Sequence, residues 1–180
     1  MAELPQLFMC LPCLALSYPA DDLAEEARPE DAAGIAAVLS KAFDEPWDAE
    51  RVRHELGPES GVDASYVVRE NGAVVAVASA RHLPDHYPGA GYLHYVGADG
   101  AKAGRGLGGV VTLAVLKHFR DEGLEAVVLE TDDFRLPAIR TYLKIGFVPE
   151  YRHEQDQVRW SKIFPLVLGP GRSGAPRADG

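Results

Sequence analysis

The stretch YLHYVGADGAKAGRGLGGVVTLAVLKHF, Tyr92 to Phe119, decides how this chain reads. Its first seven residues are β-rich, its last ten or so carry apolar residues at helical spacing, and Gly104, Gly106, Gly108 and Gly109 lie between. A strand that feeds a glycine turn and then an apolar helix lets backbone approach a ligand closely and aims free N–H groups at it. That arrangement suits phosphate. The spacing narrows which phosphate. Gly109-Val110-Val111 supplies neither the lysine nor the hydroxyl of a nucleotide-hydrolysing loop. Gly104, Gly106 and Gly109 fit the dinucleotide pattern, but that turn belongs after the first strand of its fold, and here several strands precede it.

Upstream, AAGIAAVLSKAF (32–43) puts Ile35, Val38, Leu39 and Phe43 on one helical face, and Asp48 caps a second helix, AERVRHEL, that stops at Gly57-Pro58. SYVVR and AVVAVASARH flank Asn71-Gly72, which predicts a hairpin. Downstream, EAVVLET reads as a strand, 136–144 as a helix, and GFVPEY as a short strand. HEQDQVRWSKIF (153–164) fits either a helix or a last strand. Residues 1–20 read as an extended N-terminal segment, 21–168 as one domain, and 169–180 have the composition of a disordered tail.

The 180 residues carry a formal net charge of −9, which disfavours a nucleic-acid partner because a phosphate backbone would be repelled. The apolar run Leu4–Leu16 has no preceding Lys or Arg and is interrupted by Pro5 and Pro12, so it does not read as a secretion signal. No segment has about 20 continuous apolar residues, and the expectation is a cytoplasmic protein with no membrane partner. Cys10 and Cys13 lack a second ligand pair for zinc and read as two buried thiols. His82, Asp85 and His86 share a loop, but Pro84 and Pro88 break it and no helical pair of histidines four residues apart exists, so no metal is expected.

The glycine turn resembles that of the GNAT superfamily of acyl-CoA-dependent N-acyltransferases, in which a strand is followed by Gln/Arg-x-x-Gly-x-Gly/Ala and a helix. Gly106 and Gly108 match the two small positions, whereas Ala103 stands at the first. LPAIRTYLKIGF (136–147) is similar to that family's late helix, with Ala138, Tyr142, Gly146 and Phe147 in place and Arg135 where Asn is usual. The resemblance implies an α/β fold: a mixed, twisted central sheet flanked by helices, with a splayed strand pair at the acyl-CoA site.

It further implies acetyl-CoA as cosubstrate. Val96 and Ala98 would offer backbone groups to the pantetheine arm. The N–H groups of Ala103, Gly104, Arg105, Gly106, Leu107 and Gly108 would hold the pyrophosphate, with Lys102 or Arg105 making up for Ala103. By the same resemblance Tyr142 is the proton donor to the departing thiolate and His94 the general base. Strand alternation puts His94 with Tyr92 and Val96 on one face and Leu93 with Tyr95 on the other. His82, Asp85, His86 and Tyr87 fall in a loop that surrounds the acceptor mouth in this fold.

The implied reaction is transfer of acetyl to a primary amine of a small molecule or peptide. A noncatalytic acyl-CoA sensor and a transferase for a longer acyl group are the alternatives. The acceptor stays open among an antibiotic amine, a polyamine, an amino acid, a mycothiol precursor and a protein N-terminus. Homodimers are common in the superfamily, and a homodimer is therefore a further option.

Overall fold

The computed structural model describes residues 4–12, 23–102 and 104–169. The chain divides into two compact units: 11–129, and a smaller one made of 1–10 with 130–180.

In the larger unit the sheet order is β2 (Ala24–Glu26), β3 (Val62–Glu70), β4 (Ala73–His82), β5 (Ala90–Ala98) and β6 (Ala126–Thr131, whose last two residues belong to the smaller unit). The first four pair antiparallel, and β6 joins β5 in parallel over Ala90–Tyr92 and Ala126–Val128. The sheet is therefore mixed. Asn71 (φ 50°) and Gly72 (φ 80°) make the β3–β4 turn, both in the left-handed region that a two-residue hairpin of this twist requires. Helix α1 (Ala32–Phe43) buries Ile35, Val38 and Leu39 in one cluster with Val67 and Val77 of the sheet and Val52 of α2 (Ala49–Glu55). The side chain of Asp48 accepts the N–H of Arg51 and caps α2. Helix α3 (Leu107–Asp121) buries Val111, Val115, Leu116 and Phe119.

β5 does not alternate as a regular strand would. From the Val77–Gly97 pair to the Ser79–His94 pair, β4 advances two residues and β5 three. The extra residue is a β-bulge, and Tyr95 within it has φ 43°. Expected on opposite faces, His94 and Tyr95 instead bring their rings to 4.0 Å, because one residue in the left-handed conformation cancels one step of the pleat.

In the smaller unit β1 (Leu7–Leu11, its last residue in the larger unit) pairs antiparallel with β7 (Val148–Glu150), from Phe8–Glu150 to Cys10–Val148. Cys10 is half-buried rather than buried, and burial, then Glu150, push its thiol pKa up. The expectations for Cys13 and for 170–180 fall outside the described residues. Helix α4 (Leu136–Ile145) ends at Gly146 (φ 117°), and α5 spans Asp156–Leu168. The last segment is thus a helix. Among the described residues no helix is long and apolar enough to cross a membrane.

Candidate active site

The glycine turn is shaped by backbone conformation. Gly104 (φ 84°) and Gly106 (φ 74°) occupy the left-handed region, where a Cβ is strained. A Cβ built on Gly104, Gly106 or Gly108 would meet nothing within 4 Å, so among the described residues the space at these positions is open. Gly106 is the N-cap of α3 and brings no side chain to its first-turn N–H groups. Among the described residues the first-turn N–H groups of this 15-residue helix have no side-chain cap from Gly106, and they stand at the positive end of its dipole. The described part of the turn fits a pyrophosphate. Ala103 lies outside the described residues.

The cationic side chains near the turn are engaged elsewhere. Lys102 and Arg105 both pair with the Glu70 carboxylate at the end of β3. The hydrogen bond from Lys102, helped by the Arg105 charge, holds Glu70 below the usual carboxylate range. At this turn the backbone faces the open space while the charges are tied back. Val96 and Ala98 lie beyond the bulge on β5, and Asp99 N–H donates to the carbonyl of Val75 at 2.8 Å.

His94 lies at the bulge. Its Nε2 is 3.4 Å from a guanidinium nitrogen of Arg81, whose Nε donates to the carbonyl of Ser60 at 2.7 Å. Burial, reinforced by the Arg81 charge and only partly opposed by Glu55, lowers the His94 pKa to about 3. His94 is therefore a neutral imidazole at working pH. Beside it the Tyr95 hydroxyl donates to Glu55 at 2.7 Å, and Arg51 donates to the other oxygen of that carboxylate at 2.8 Å. Burial and the Glu55 hydrogen bond raise Tyr95 to about 12. The Tyr95 ring packs edge-on against Trp47 (4.8 Å) and Phe43 (5.5 Å).

Glu55, Arg81 and Tyr95 were not legible as site residues. No short motif joins them, since α2, β4 and the bulge of β5 meet only in the folded unit. Of the loop residues, Tyr87 stacks on Tyr92 with centroids 5.7 Å apart, and the backbone N–H groups of His86 and Tyr87 both donate to the carbonyl of Leu83.

Tyr142 stands on α4 in the smaller unit, so the structure gathers His94, Val96, Ala98 and the described turn residues in one unit and Tyr142 in the other. It is buried, with Phe147 edge-on at 5.8 Å. Its carbonyl accepts the N–H groups of Gly146 and Phe147 at 3.1 and 3.0 Å, which closes the helix. Burial, only partly opposed by Arg135, keeps its phenol protonated far above neutral pH.

A mycothiol acetyltransferase of Pseudarthrobacter chlorophenolicus is 37% identical over 149 residues, 82% of this chain and 39% of the relative. The chain spans less than half the length of the curated relatives it matches. A GNAT-family acetyltransferase structure from Novosphingobium aromaticivorans superposes with a TM-score of 0.64 at 22% identity, over 81% of this chain and 60% of that one. The Mycobacterium tuberculosis protein Rv2747, solved in complex with CoA, gives a TM-score of 0.57 at 18% identity, over 78% of this chain and 80% of that one. Residues 32–147 match the acetyltransferase (GNAT) family, and the chain belongs to that family.

Proposed function

We propose that the protein transfers acetyl from acetyl-CoA to a primary amine. The observation that carries this reading is the uncapped start of α3, where left-handed glycines leave open space before a row of backbone donors. The backbone of Ala103 to Gly108 holds the pyrophosphate, and Val96 and Ala98 offer their peptide groups to the pantetheine arm. The register supports this last point, since the parallel pairing of β5 with β6 covers only Ala90–Tyr92.

The amine nitrogen attacks the thioester carbon, the carbon–sulfur bond breaks, and the thiolate takes a proton. Tyr142 is the donor, a role its protonated state supports. The Glu55 carboxylate, oriented by Tyr95 and Arg51, attracts the acceptor while it is still an ammonium. The ammonium loses one proton to solvent water before it attacks as the free amine. The proton that the nitrogen sheds after attack passes along neutral His94 to water, and Tyr142, having protonated the thiolate, regains its proton from solvent. The relatives' shared name makes an amine precursor of mycothiol the first acceptor to test, followed by polyamines, amino acids and peptide N-termini.

The test pairs a thermal shift with thiol release. Acetyl-CoA at about 100 times its Kd adds roughly 2.7 kcal/mol of stability, and an accepted amine liberates CoA thiol in proportion. Tyr142→Phe is expected to keep the thermal shift and lose about two orders of magnitude in kcat. Stabilisation without turnover on any amine would point to a sensor. No stabilisation at saturating CoA would overturn the assignment of the turn.

A further inference from the structure

Far from the glycine turn, four side chains converge where β3 begins, β4 ends and α3 finishes: Asp63, His82, His118 and Glu122. From Leu107 at the start of α3 to His118 is about 16 Å along the helix. His118 Nε2 lies 2.8 Å from Asp63 Oδ2 and 3.4 Å from Glu122 Oε1, and His82 Nε2 lies 3.2 Å from Glu122 Oε2. The ligand atoms of Asp63, His82 and Glu122 all fall within 4.8 Å of one another.

Those separations have a geometric meaning. Donor atoms held 2.0–2.2 Å from one ion at tetrahedral angles stand roughly 3.3 Å apart, and the three short distances bracket that value. A second observation concerns His118 alone. Its Nε2 is buried and makes no aligned hydrogen bond, although two carboxylate oxygens are close. Both oxygens are within ion-pair distance of Nε2 without meeting hydrogen-bond geometry. Ligands that share an ion are placed in that way, because each lies well off its neighbour's bond to the metal. The other ring nitrogen, Nδ1, is 3.1 Å from the Tyr66 hydroxyl, the kind of outer contact that fixes a ligating imidazole's orientation. His82 is steadied by Phe119, edge-on at 5.6 Å.

We infer that these side chains form a binding site for a divalent ion of the zinc class, with Nε2 of both histidines, Oδ2 of Asp63 and the Glu122 carboxylate as ligands. Two imidazoles with two carboxylates suit zinc, cobalt, nickel or copper over magnesium, which prefers six oxygens. Four protein ligands fill a tetrahedral shell and leave no open position, so the ion clips the end of α3 to β3 and β4 and does no chemistry. The side chains of Asp63, His82 and Glu122 are 52%, 38% and 33% exposed, which gives the ion a path in.

The test uses the full chain, stripped with EDTA and titrated calorimetrically with zinc, then with cobalt to read visible absorption. One zinc equivalent, tetrahedral-type cobalt absorption, a rise in melting temperature and no response to magnesium are expected. His118→Gln and Glu122→Gln should each weaken zinc binding about tenfold or more and abolish the cobalt band, while His86→Gln on the neighbouring loop binds like the parent chain. Glu122 lies at the open end of its helix, so Glu122→Gln keeps the reading decidable if His118→Gln fails to fold. Absence of zinc binding, or zinc binding that survives the combined His82→Gln and His118→Gln change, would overturn the inference. Neither result bears on acetyl-CoA binding at the opposite end of α3.

Discussion

His94 carries the sharpest chemical consequence of any single residue. An imidazole near its ordinary pKa of about 6.5 would impose a limb on the pH–rate profile close to neutrality, whereas burial and Arg81 place this one at about 3. The log of kcat/KM is therefore expected to show no His94-dependent bend between pH 5.5 and 7.5. A bend near 6.5 that disappears in His94→Gln would mean that the site is wetter when it works. Arg81→Met should move the group upward, because it removes the nearest cation while burial stays. Gly106 is decisive in another way. Its left-handed φ leads into α3, and as a glycine it brings no capping side chain, so one residue sets backbone shape and leaves the first-turn donors without a cap from its own position.

Among the elements, α5 was the least predictable from sequence and is the most informative in the fold. Its buried Arg159, Trp160, Ile163 and Val167 follow a helical stripe, but Pro165 and a charged exterior blur that stripe in the sequence. Contacts at both ends hold it. The Asp156 carboxylate, 1% exposed, accepts the N–H groups of Arg152 and His153 at 3.0 Å each and a hydrogen bond from Arg159, which also pairs with Asp133. At the far end Arg140 of α4 donates to the carbonyls of Leu166 and Val167 at 2.9 and 3.0 Å, serving groups that the proline-containing last turn leaves over. Asp156→Ala strips three donors of their acceptor and is expected to cost about 3 kcal/mol in urea unfolding. The exposed Glu154→Ala should stay within about 0.5 kcal/mol. Equal costs for the two would show that Asp156 does not hold the helix start.

At the scale of the molecule, acid stability reports the titrating groups together. His94 has a folded pKa below its unfolded one, so its neutral form supports the fold above pH 6.5 and that support is lost as pH falls toward 3. The loss is at most about 1.4 kcal/mol per pH unit. Glu70 and Asp121, lowered chiefly by hydrogen bonds from Lys102 and Lys117, weaken the fold only below the ordinary carboxylate range. Stability is thus expected to decline from about pH 6.5 in the parent chain and from nearer pH 4.5 in His94→Gln, followed by urea midpoints across pH. Coincident curves would remove His94 from the account.

Elements whose signals lie within a few neighbouring residues were legible in the chain itself. The Asn71-Gly72 hairpin, the Asp48 cap, the apolar faces of α1 and α3 and the glycine turn need only local backbone preference and periodicity, and so does the match of 136–147 to α4 and its Gly146 stop. Tertiary structure alone decided the rest. The bulge that turns Tyr95 beside His94, the tying of Lys102 and Arg105 to Glu70, and the meeting of Asp63, His82, His118 and Glu122 all depend on segments far apart in sequence. Burial depth and the distance between charges set what those side chains do, and both come into being only when the strands and helices pack.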